Sequence, residues 1–121
     1  MIKNLGLSSR EHELAGVAAR GDVLQCSQLS PEQLAVTDDP KHIIRAEVLR
    51  GLLVNRSGKP LDPRGIRLHR ARITGILDLT HVQAVVGMEL LGCYFDQAVL
   101  LEDAHLPWLT LSGCRGSALH G

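Results

Sequence analysis

From Ile66 onward the chain keeps a register of five to six residues, and that period constrains its fold more than anything else in it. Take Leu68, Ile73, Leu79, Ala84, Leu90, Phe95, Leu101, Leu106, Leu111 and Gly116 as centres. Two residues before each stands another apolar or slim side chain: Ile66, Ala71, Leu77, Val82, Met88, Cys93, Val99, Ala104, Leu109 and Cys114. A helix of period 3.6 loses this register, and a straight strand of period 2 loses it after one segment. A backbone that turns a corner about every five residues keeps it. Within each side, a centre and the residue two before it point the same way, as a pleated strand requires.

Pairs of sides make longer blocks. "IRLHRARITGI", "LDLTHVQAVVG", "MELLGCYFDQA", "VLLEDAHLPW" and "LTLSGCRGSAL" each open apolar-x-Leu. The stretches "MELLGCYF" and "LTLSGCRG" are then the same two sides of consecutive layers, joined by parallel ladder bonds ~4.8 Å apart. Gly92 and Gly113 share a corner, where a residue without Cβ takes a positive φ. Cys93 and Cys114 share an inward column with Ala71. Four sides per turn predict an all-β, right-handed quadrilateral β-solenoid over residues 66–121.

Residues 1–55 predict a helical N-terminal cap, joined to the solenoid by a loop over 56–65. Ser8 and Glu11 form a capping box, and Gly21 stops a helix running from about Ser9 to Arg20. Ser30 followed by Pro31 repeats the start signal. Asp39 and Pro40 open a third, expected to reach Val54 with Ile44, Val48 and Leu52 on one face, flanked by Ile43, Leu49 and Leu53. That face is expected to lie across the first coil and cover its open end.

Composition narrows the functional classes. Apolar residues are 45% of the 121 but aromatics only 2%, so Leu, Ile, Val and Ala must fill the core. The formal charge balances at 13 basic and 13 acidic residues, leaving no global field for nucleic acid or an anionic membrane. Locally, Arg56, Lys59, Arg64, Arg67, Arg70 and Arg72 face one acid, Asp62, and an acidic stretch follows. Three cysteines, 26, 93 and 114, form no C-x-x-C, which points to a reducing cytoplasm and to buried thiols. No apolar run has membrane-span or signal-peptide length.

The residues "ARITG", "CYFDQ" and "AHLPW" resemble pentapeptide-repeat proteins. The wider pattern "IRAEVLRGLLV", "RGIRLHRARITGILDLT" and "LTLSGC" is similar to a bacterial branch with helices before a degenerate repeat, whose members are often labelled membrane-associated oxidoreductases. That resemblance implies a solenoid presenting a regular face. No G-x-G-x-x-G follows a strand and no phosphate-binding loop occurs. The histidines 12, 42, 69, 81, 105 and 120 do not share one repeat phase, so no metal site is expected. No catalytic residue and no cofactor is expected.

The reading that follows is a non-catalytic scaffold or protein-binding module. Its alternatives are part of a larger oxidoreductase and a DNA-mimicking topoisomerase inhibitor. The expected interaction surface comprises Arg64, Arg67, Arg70 and Arg72 together with Leu109, Leu111 and Leu119. The last strands are expected to leave apolar edges, so either further coils follow Gly121 or the chain self-associates there or engages a protein partner.

Overall fold

Local signals in the first forty residues set the first helices. The computed structural model describes residues 6–54 and 60–116. Helix α1, Ser9–Arg20, is capped by Ser8, whose side chain accepts from the Glu11 amide while Glu11 reaches back to the Ser8 amide. It ends at Gly21, in the left-handed conformation with φ 77°. Helix α2, Pro31–Leu34, repeats the device with Ser30, Gln33 and a first-turn proline. Both starts satisfy backbone donors that a helix cannot pair internally.

Among the described residues ten short strands pair in parallel. In chain order they are β1 (Leu24–Gln25), β2 (Ile43–Arg45), β3 (Ile66–His69), β4 (Arg72–Thr74), β5 (Leu77–Asp78), β6 (Met88–Leu91), β7 (Tyr94–Phe95), β8 (Val99–Leu100), β9 (Leu109–Thr110) and β10 (Arg115–Gly116). One sheet runs β1-β3-β6-β9, a second β2-β4-β7-β10, and a third pairs β5 with β8. Helix α3, Ala46–Leu53, packs on β5, and α1 packs against β1, β2 and β3.

The register puts like on like. Leu24, Leu68 and Leu90 align, as do Ile44, Ile73 and Phe95, and all of these side chains are buried. Corners repeat too. Arg70, Gly92 and Gly113 stand at successive positions of one corner, with φ of 58°, 63° and 69°. His81 and Asp103 share another, at 61° and 55°. The left-handed turn expected of Gly92 and Gly113 is present, and one layer below an arginine adopts it at a steric cost.

Two expectations are corrected. The N-terminal segment is not all helical: it supplies β1 and β2, which extend the same sheets as β3 and β4. Nor do the strands close into a four-sided, all-β solenoid. The described residues form three small sheets with three helices, a small mixed α/β fold, and the fourth side carries a single bridge, Gln83 to His105. The inward register alone does not oblige every side to pair. Between Leu79 and Val82 the backbone closes a turn on itself, with His81 left-handed at its centre.

The third helix is also shorter than expected. Asp39 and Pro40 cap only a 3-10 turn, Pro40–His42, before the chain extends into β2. Ile44 is fully buried in the column of Ile73, and ladder bonds to β4 hold it there. That pairing outweighs helix propensity, which is a weak prior for β-branched residues. The buried face of α3 is Ala46, Val48, Leu49 and Leu53. One core cluster joins Leu14, Val17, Ile44 and Leu49 to Ile66, Leu90 and Phe95.

Candidate functional site: an uncovered strand layer

The two ends of the sheets differ. At one, α1 and α3 lie over the first strands. At the other, β8, β9 and β10 are, among the described residues, the edge strands of their sheets. The same columns that are sealed lower down lose cover in this last layer. Ile66 and Met88 are buried, but Leu109 is half-buried; Leu68 and Leu90 are buried, but Leu111 is half-buried. Leu79 is 0% exposed, whereas Leu101, next in its column, is 42% exposed. Val99, Ala104, Leu106 and Cys114 are likewise only partly covered. The layer is therefore an apolar surface bounded by three parallel strand edges, the arrangement that accepts further strands.

Trp108 borders it. Its indole lies against Gly87 so closely that a side chain there would overlap the ring. The Trp108 carbonyl accepts from the Met88 amide at 3.2 Å, which fixes the approach to β9.

The cysteines pack in one column. Arg115 is registered with Tyr94, so Cys114 stands beside Cys93, and the Arg115 amide donates to the Cys93 carbonyl at 3.0 Å. Cys93 is fully buried and Cys114 half-exposed, so only the first matches the expectation of buried thiols. Cys114 Sγ donates to the Leu90 carbonyl at 3.2 Å, and Cys93 Sγ to the Leu91 and Leu68 carbonyls at 3.7 and 3.8 Å. The interaction between the two adjacent thiols, with burial, pushes the Cys93 thiol far up, and the same interaction pulls Cys114 down against its own partial burial. Cys26 is a separate, buried thiol, pushed up to about 11 by burial.

The histidines divide into separate sites. His81 Nδ1 and His105 Nε2 lie 2.8 and 3.0 Å from the two oxygens of Asp103, an exposed group in which the His81 bond, then the His105 bond, lowers the carboxyl. His69 instead pairs with Glu89 at 2.7 Å, and His42 with the Thr37 hydroxyl. Among the described residues no group of three or more His, Cys, Asp or Glu is placed to hold a metal ion. Nor, among them, is any helix long and apolar enough to cross a membrane.

Of the arginines expected on the surface, most are spent within the fold. Arg72 Nη1 donates to the carbonyls of Ala35 and Thr37 at 3.0 and 2.9 Å, closing the end of α2, and its guanidinium also sits 5.9 Å from the Tyr94 ring centroid. Arg70 donates to the Leu29 carbonyl at 3.1 Å, and Arg67 to that of Gly21 at 3.4 Å. Arg64 pairs with Asp62 at 3.2 Å and stays exposed. Leu109 and Leu111 fall in the uncovered layer. Leu119, like Arg56, Lys59 and His120, lies outside the described residues. Sequence reasoning omitted Leu101, Leu106 and Trp108 from this surface, although the repeat places Leu101 and Leu106 at centres of the same layer.

Comparison with protein-family models, with curated proteins and with solved structures finds no match.

Proposed function

We propose that the chain is a non-catalytic scaffold that assembles with a second copy of itself through the layer formed by β8, β9 and β10. The observation that carries this reading is the loss of cover at equivalent positions of adjoining columns: Leu101, Leu109 and Leu111 are exposed or half-exposed where Leu79, Met88 and Leu90 are sealed. Covering them removes apolar area from water at roughly 25 cal/mol per Å², and pairing the strand edges satisfies their free donors and acceptors. A formal net charge of zero leaves no long-range repulsion between copies.

Light scattering across a concentration series tests it. The expected result is a mass rising from one chain to two, with Leu101→Glu and Leu111→Glu each shifting the balance to monomer while circular dichroism stays unchanged. Leu101 is already exposed, so its substitution reports on association without a folding cost. A monomer at every concentration, or a dimer indifferent to both changes, overturns the proposal.

A further inference from the structure

The cysteine column offers chemistry that the association reading does not use. We propose that Cys93 and Cys114 form a dithiol site that thiol–disulfide exchange with a small-molecule disulfide converts to an intrachain disulfide. Three features of the fold carry this. First, the two residues are neighbours in register, immediately before the pair Tyr94 and Arg115. Neighbouring ladder positions stand ~4.8 Å apart, inside the ~4.4–6.8 Å Cα window that a disulfide needs. Second, Cys114 immediately precedes the edge strand β10, so its approach to Cys93 disturbs no further strand among the described residues. Third, access is ordered: in the unassociated chain Cys114 is partly open to solvent, and Cys93 is sealed behind it.

That order defines the reaction. The Cys114 thiolate attacks one sulfur of the small disulfide; its S–S bond breaks and the other half leaves as a thiolate. Cys93 then attacks Cys114 Sγ in the mixed disulfide, expels the second small thiolate and gives up its proton to a departing thiolate. The other small thiolate takes its proton from solvent, which received the one that Cys114 lost. The protein loses two thiols, and one small disulfide becomes two small thiols. Cys114 is the attacking thiol because, of the two, it is the one open to solvent. Cys93 resolves. The product ties β10 to β7.

Reduced protein incubated with oxidised glutathione, then alkylated and weighed, tests the assignment. Two of the three thiols should disappear without a retained glutathione. No Lys or Arg lies between Ile73 and Cys114, so trypsin leaves both cysteines in one peptide. Cleavage at Asp96, Glu102 or Asp103 separates them and should yield fragments joined through sulfur. Cys93→Ala should instead accumulate a glutathione adduct on Cys114. Alanine is an ordinary occupant of this column, since Ala71 sits there one layer below, fully buried. Wild-type protein that keeps the adduct as Cys93→Ala does, a linkage that includes Cys26, or three thiols left unreacted overturns the proposal.

Discussion

Glu11 is a carboxylate with almost no exposure, 1%, and all its partners lie within the N-terminal segment. Oε1 accepts from the Ser8 amide and from Arg45 Nη2 at 2.9 and 2.8 Å; Oε2 accepts from the Arg45 amide and Nε at 2.9 and 3.0 Å. Burial raises its pKa, but the Arg45 side chain, then the backbone bonds from Ser8 and Arg45, outweigh it and leave the group below its ordinary 4.5. A carboxyl held down in the folded state stabilises the fold above its unfolded pKa and loses that contribution as pH falls through the folded one. Glu11→Gln keeps the capping reach, as Gln33 does in α2, and removes the charge. At neutral pH it should cost about 1.5–3 kcal/mol, the range for a hydrogen bond to a charged group. In urea titrations the gap between wild type and variant should narrow as pH falls below Glu11's ordinary 4.5 and close once the carboxyl, held lower in the fold, is protonated. A gap that stays constant would assign the loss to packing. Only half of this was legible in the sequence. The capping box is a local pattern, whereas Arg45 lies thirty-four residues away and nothing in its neighbourhood marks it as Glu11's partner. The arginine run shows the same limit: composition reads it as a surface, but Arg67, Arg70 and Arg72 spend their donors on distant carbonyls.

At the scale of elements, α3 is where pattern and packing part. Ile44, Val48 and Leu52 recur at helical spacing, so they read as one face. The structure gives Ile44 to a strand and turns the helix so that Leu49 and Leu53 are sealed while Leu52 is half-open. What decided this was a ladder partner, β4, that becomes visible only once the repeat is folded. Leu49→Ala should therefore cost roughly 2–5 kcal/mol, the usual range for a sealed leucine, and Leu52→Ala clearly less. Chemical denaturation of the two variants discriminates the faces: equal losses, or a larger loss at Leu52, would restore the face expected from the spacing. The inward columns themselves were fully legible, because each is set by a side-chain period that survives whether or not a given side pairs. Closure was not, because it depends on backbone bonds that the period does not encode. The uncovered layer was legible to the extent that its leucines are centres of the register, and the accessibility of Cys114 was hidden because it depends on what lies beyond its column.

For the whole molecule, the two ends of the sheets have opposite character, and the N-terminal segment creates that difference. It gives β1 to the first sheet and β2 to the second, and it lays α3 over the third. Removing residues 6–54 would strip every sheet at once. Leu68 and Ile73 would lose Leu24 and Ile44 from their columns, and Leu77 the helix above it, while β3, β4 and β5 would join β8, β9 and β10 as open edges. Each sheet would then be open on both sides, and short parallel strands with open edges pair indiscriminately. The expected product of the shortened chain is aggregate, with the parallel-strand signal in circular dichroism either lost or present only in large particles by light scattering. The intact chain supplies the control, since one of its two ends is covered. A shortened chain that remains monomeric, with a cooperative thermal transition, would show that the strand layers hold themselves and that the helices decorate rather than seal them.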